Sequence, residues 1–209
     1  MELLSLLHSA PVIPVVYHAD GAYVADLVRT SWKAGLRFFE FTNRGPAGKE
    51  VFHYLAQVVQ NECPDFNLGV GTIYTAEDAQ WFIEAGAKFV VQPVMTKEVG
   101  DACRQSLVPW IPGGLTPQEI FQCHQAGAEF IKVFPGSVVG PAYIKALLGP
   151  MPWLKLIVTG GVEPVASSVG PWLHQGAVAV GIGQQLFKAG LEPAEIEENI
   201  QELLNDIRR

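Results

Sequence analysis

The chain has 209 residues, 49% of them hydrophobic and 17% charged, with a formal net charge of −7. That composition excludes a disordered chain and supports a large core. An acidic surface of mixed sign does not attract phosphate backbones or anionic lipid, so neither nucleic acid nor a membrane is an expected partner. The length suits one domain spanning residues 1–209.

The opening run Met1-Glu2-Leu3-Leu4-Ser5-Leu6-Leu7-His8 lacks a basic start and a long apolar stretch. It reads as a short amphipathic helix, not a signal peptide. Apolar, β-branched runs then follow at residues 12–17, 38–43, 67–73, 89–94, 108–112, 130–135, 154–159 and 177–181. Amphipathic segments separate them, for example 20–34, 75–85, 116–126 and 143–148. A last helix is expected over 192–209, acidic at its start and ending in Arg208-Arg209, which suits the helix dipole. Strands alternating with helices predict a parallel sheet covered on its outside, and strands this apolar are buried on both faces. Eight such units predict an α/β fold, a (β/α)8 TIM barrel with a short N-terminal helix. The rival is an open doubly wound sheet.

A quasi-repeat favours closure. Ala34-Gly35, Ala85-Gly86, Ala126-Gly127 and Gln175-Gly176 each end a helix just before strands two, four, six and eight. A glycine there takes the left-handed cap. Recurrence at every second strand matches a barrel's alternating layers. Cys63, Cys103 and Cys123 form neither a disulfide framework nor a zinc motif, which points to the cytoplasm.

Most charges fall on helices or at strand starts. Arg37, Lys88, Glu129 and Lys155 are placed where the barrel bottom meets water. Glu40, inside Phe38-Phe39-Glu40-Phe41, and Lys132, inside Ile131-Lys132-Val133-Phe134, are different. An isolated charge in such a strand costs several kcal/mol, roughly, unless paired or neutralised. One reading is a structural salt bridge between the two. The other is chemical: an amine in an apolar pocket is disfavoured as a cation and becomes nucleophilic. A carboxylate beside it can then move protons.

The strand ends add polar groups. Arg44 leaves the second strand and suits a carboxylate. Thr72 ends the third in Gly69-Val70-Gly71-Thr72. Thr159-Gly160-Gly161 and Gly181-Ile182-Gly183 end the seventh and eighth, the usual place for a phosphate in a barrel. No Gly-x-Gly-x-x-Gly or P-loop is complete, and the five histidines lack metal-ligand spacing. His18 reads as a loop residue, and Trp81, Trp153 and Trp172 as packing or subunit contacts.

Val12-Ile13-Pro14-Val15, Phe39-Glu40-Phe41-Thr42-Asn43-Arg44, Gly69-Val70-Gly71-Thr72, Trp110-Ile111-Pro112-Gly113, Ile131-Lys132-Val133-Phe134-Pro135 and Thr159-Gly160-Gly161-Val162 occur in this order. On these runs the chain resembles the 2-keto-3-deoxy-6-phosphogluconate (KDPG) aldolases over residues 12–187. That family also includes 4-hydroxy-2-oxoglutarate (KHG) and 2-keto-3-deoxy-6-phosphogalactonate aldolases. The resemblance implies a metal-free class I lyase with no cofactor beyond a covalent imine on Lys132. It would cleave a 6-phosphorylated 2-keto-3-deoxy sugar acid to pyruvate and an aldehyde such as glyceraldehyde 3-phosphate. Carried over by position, Lys132 is the Schiff-base lysine and Glu40 the proton shuttle. Arg44 and Thr72 hold the carboxylate, and Gln92, Pro93 and Phe134 line the pocket. Thr159, Gly160, Gly161 and Gly183 complete the substrate site, the glycines approaching the phosphate. The resemblance also implies a homotrimer. Tyr17-His18, Gln184, Asn43 and Phe41 depart from the usual pattern, which leaves the sugar's stereochemistry and its phosphate open. Two other functions stand beside this one: a phosphate-binding barrel isomerase or epimerase, which would not need Lys132, and a non-catalytic barrel subunit.

Overall fold

The computed structural model describes residues 2–188 and 190–208. Five strands come first: β1 (Val12–Val16), β2 (Phe38–Thr42), β3 (Asn67–Gly71), β4 (Val90–Val91) and β5 (Trp110–Ile111). Four follow: β6 (Gly113–Gly114), β7 (Ile131–Val133), β8 (Leu156–Thr159) and β9 (Ala179–Ile182). All paired neighbours are parallel. The sheet order is β5-β4-β3-β2-β1-β9-β8-β7-β6.

The two ends of that order, β5 and β6, are separated in sequence only by Pro112. They are halves of one strand, and through them the ring closes. Pro112 has no N–H for a ladder bond. Its carbonyl accepts from Lys132 N at 2.8 Å, while the carbonyl before it, on Ile111, accepts from Gln92 N at 3.0 Å. The strand thus serves β4 with its first half and β7 with its second. Eight strand positions are occupied, as the sequence implies, and the fifth is split.

The helices cover the outside: α1 (Glu2–Ser9), α2 (Gly21–Lys33), α3 (Gly48–Glu62), α4 (Ala76–Glu84), α5 (Lys97–Gln105), α6 (Pro117–Gln125), α7 (Pro141–Leu148), α8 (Ala166–His174) and α9 (Pro193–Ile207). Their starts are written locally. Asp20 accepts from Ala22 N and Tyr23 N, Thr75 accepts from Asp78 N, and Thr116 with Glu119 forms a capping box ahead of Pro117. Such caps stabilise a helix end by about 1 kcal/mol. The expected start at 143 moves to Pro141, because Gly140 turns left-handed and Pro141 fits the first helical position. Gly35, Gly86, Gly127 and Gly176 all have φ between +92° and +107°. Each releases the chain into β2, β4, β7 or β9, the even positions of the ring. At the C-terminus the Arg208 guanidinium donates to the Ser9 carbonyl. Met1 and Arg209, the outer residues of the two expected terminal helices, lie outside the described residues.

The period of two in each strand divides the core. Phe39 and Phe41 point outward to the helices, where Phe52 and Phe82 stack edge to face at 5.0 Å. Phe38, Ile13, Phe89, Val91, Ile111, Phe130, Ile157 and Ala179 fill the lower barrel. Leu7 of α1 joins this inner cluster at 1% exposure, so α1 stoppers the bottom. Burying that one side chain contributes about 2 kcal/mol. No helix among the described residues is long and apolar enough to cross a membrane.

Candidate active site

With the bottom sealed, the same alternation raises polar residues into the upper barrel. Above Phe38 the inward positions of β2 are Glu40 and Thr42. Above Phe130 the inward positions of β7 and its exit are Lys132 and Phe134. Ile157 is followed by Thr159, and Ile13 by Val15. Glu40 and Lys132 are both buried. Their strands are not neighbours, yet Lys132 Nζ stands 3.8 Å from Glu40 Oε1 across the lumen.

That separation is too long for a hydrogen bond. Among the described residues Glu40 Oε1 is buried without a hydrogen-bond partner. A stabilising buried ion pair needs close geometry and further hydrogen bonds, and this one has neither. The pair is therefore poorly explained as a structural salt bridge. Burial raises the Glu40 carboxyl above its ordinary range, against the opposing pull of Lys132 and then Arg44. The neutral form of the carboxyl is thereby favoured. Lys132 Nζ also lies 5.2 Å from the centre of the Phe134 ring.

Above the pair opens a cavity of about 480 Å³ lined by Val15, Tyr17, Thr42, Arg44, Phe134, Thr159, Gly160, Gly183, Gln184 and Gln185. Arg44, Phe134, Thr159, Gly160 and Gly183 were expected there from the sequence. Gly161 is adjacent, and Gly160 and Gly161 have φ of +96° and +75°. Thr72 follows β3 with φ +64°, a left-handed conformation that is strained for a β-branched residue.

Gln92 and Pro93 part company. Gln92 follows inward-facing Val91 and so points outward to the helix layer. Its amide nitrogen donates to Ile73 O (2.9 Å) and Thr96 Oγ1 (2.8 Å), and its oxygen accepts from Trp110 Nε1 at 2.8 Å. Pro93 lines a second cavity of about 260 Å³, with Phe134 on the shared wall.

Val15, Thr42, Tyr17, Gln184 and Gln185 line the main cavity without having been singled out as contacts. A hydrogen bond from Gln184 Nε2 to Tyr17 O (2.8 Å) joins the loops after β9 and β1. His18 turns away, and its Nδ1 accepts from Asp20 N. Trp172 is buried packing, and Trp81 packs against Phe82. Burial pushes the Cys103 and Cys123 thiols up to about 12, which keeps them protonated. Among the described residues no group of three or more His, Cys, Asp or Glu could hold a metal ion.

A buried lysine on a barrel strand, a carboxyl close beside it and a polar mouth above are placed where barrel enzymes carry their active sites. The family model for KDPG and KHG aldolases matches residues 3–203. The 2-dehydro-3-deoxy-phosphogluconate aldolase of Treponema pallidum is 33% identical over 164 residues, 78% of this chain and 76% of that one. The KDPG aldolase of Zymomonas mobilis ATCC 29191 superposes with a TM-score of 0.82 at 26% identity, covering 95% and 94% of the two chains. The KDPG aldolase of Legionella pneumophila, solved with pyruvate captured as a covalent carbinolamine, has a TM-score of 0.79 at 25% identity, covering 96% and 95%.

The chain belongs to the KDPG and KHG aldolase family. It is a lyase of the class I, Schiff-base kind, and neither the isomerase nor the non-catalytic barrel survives that assignment.

Proposed function

We propose that the chain cleaves a 6-phosphorylated 2-keto-3-deoxy sugar acid to pyruvate and an aldehyde, with Lys132 as the nucleophile and Glu40 as the proton carrier. The observation that carries the residue assignment is the buried pair, 3.8 Å apart, with an unpartnered carboxyl oxygen. The Lys132 amine attacks the C2 carbonyl, and loss of water gives the iminium. Glu40 takes the proton from the C4 hydroxyl, and the C3–C4 electrons move onto the iminium as the aldehyde leaves. The resulting enamine carbon is protonated from Glu40, and water releases pyruvate and the free amine. The pair must approach more closely in the complex, as catalytic contacts commonly do.

Arg44 and Thr72 hold the pyruvoyl carboxylate, Arg44 by a charge-assisted contact. Phe134, Pro93 and Thr159 shape the walls. Gln92 acts from behind, fixing the β4 exit on which Pro93 stands. Backbone N–H groups of Gly160, Gly161 and Gly183 receive the distal phosphate. The reaction runs through the Lys132 imine, without a metal. The enzyme works in the cytoplasm as a homotrimer of single-domain chains.

Exchange of pyruvate methyl protons in deuterated water, followed by proton NMR, tests the lyase chemistry. An enamine former catalyses exchange, and its absence would sink the reading. Comparing phosphorylated and unphosphorylated keto acids tests the distal half. A preference for the phosphorylated form of at least tenfold in kcat/KM is expected, about 1.4 kcal/mol. Equal values would remove the phosphate site.

A further inference from the structure

Glu40 raises a question of placement. Its carboxyl is buried, one oxygen has no hydrogen-bond partner among the described residues, and its nearest cation stands beyond hydrogen-bond distance. Hydrogen bonds to that oxygen therefore do not fix it. Shape does. Gly71, the last residue of the neighbouring strand β3, would carry its Cβ 1.8 Å from Glu40 Oε1, 2.6 Å from Cδ and 2.9 Å from Cγ. The carboxyl occupies the volume that any other residue's side chain would fill at that position.

Register shows how. Glu40 pairs with Gly69, and Thr42 pairs with Gly71. The Glu40 side chain therefore leans two register pairs further along the strands, to the next residue of β3 on the same face, towards the open end. Diagonal neighbours at this offset touch only through long side chains, and here the second partner must be absent. Backbone conformation does not demand glycine at 71, since it is not among the positive-φ glycines. Space is what demands it.

We infer that Gly71 is a positioning residue of this enzyme: its missing side chain forms the seat that aims the Glu40 carboxyl at Lys132 and the reacting atoms. The inference rests on the reading of Glu40 as the proton carrier. An added methyl group displaces the carboxyl by an ångström or more, and a misplacement of that size costs about a hundredfold.

Gly71→Ala is expected to lower kcat by at least tenfold. Pyruvate is still trapped on Lys132 by borohydride, and KM stays within about threefold, since the attack on the carbonyl does not need the carboxyl in its seat. The acid limb of the kcat profile should also move, because the carboxyl enters new surroundings. A cycle with Glu40→Ala separates seating from folding, and holds even where the single variant folds poorly. Gly71→Ala should lower Tm in the parent and leave it unchanged in Glu40→Ala, whose cavity accepts the methyl group. Turnover in Gly71→Ala within twofold of the parent would overturn the inference, as would an equal Tm loss in both backgrounds. Glu40→Gln tells the two ideas apart. Full turnover there would overturn the role of Glu40 itself. Lost turnover there with full turnover in Gly71→Ala would overturn the seat alone.

Discussion

Among the described residues the barrel carries two lysine–glutamate pairs that look alike on paper. Lys155 meets Glu129 at 2.6 Å below the barrel, and Lys132 meets Glu40 at 3.8 Å inside it. Each lysine also stands over a phenylalanine, Phe130 at 5.3 Å and Phe134 at 5.2 Å. The closer pair is the chemically quieter one. The Lys155 and Glu129 side chains are 31% and 56% exposed, so water screens their attraction and it stabilises little. The Lys132 and Glu40 side chains are 8% and 4% exposed. There desolvation raises the carboxyl above its ordinary range, against the pull of Lys132 and Arg44. Burial, not distance, is what separates the two pairs.

The comparison breaks first at Lys132. Lys132→Ala should lower kcat by about a thousandfold or more, because the covalent route is lost. Turnover near that of the parent would show that the buried pair is only structural. Glu40→Gln should cost about 10²–10⁴ in kcat while leaving pyruvate trapping intact.

Next comes pH. The base form of Glu40 exists only as pH rises through its raised value, so kcat should fall on the acid side at a higher pH than an exposed glutamate would give. Arg44 opposes that rise, so Arg44→Ala should move the acid limb further up and also raise KM. A limb that moves down in the pH–rate profile would contradict this. At the small end, Lys155→Ala should leave kcat within twofold and shift Tm only slightly, by calorimetry. A large loss of turnover there would erase the contrast between the pairs.

The eight strand positions and the two misplaced charges were legible because each depends on local pattern. Apolar runs gave the strands, glycines before strands the helix ends, and charges inside apolar strands the buried pair. The split at Pro112 was not, because a proline inside an apolar run does not say which neighbour each half serves. Gln92 and Pro93 were read as one wall, yet the strand alternation sends the Gln92 amide outward to Ile73, Thr96 and Trp110. Only Val90–Val91 remains regular there, too short a strand for its facing to be read from pattern. Tyr17 and Gln184 stood out as departures from the family, but that they meet is a product of ring closure, 167 residues apart in sequence. Gly71 was visible as a letter, and its purpose appears only beside the Glu40 carboxyl.

The most direct measurement is borohydride reduction of the protein with pyruvate, followed by peptide mass spectrometry. The adduct is expected on Lys132, absent in Lys132→Ala and never on Lys155. No adduct, or an adduct on any other lysine, would contradict the account.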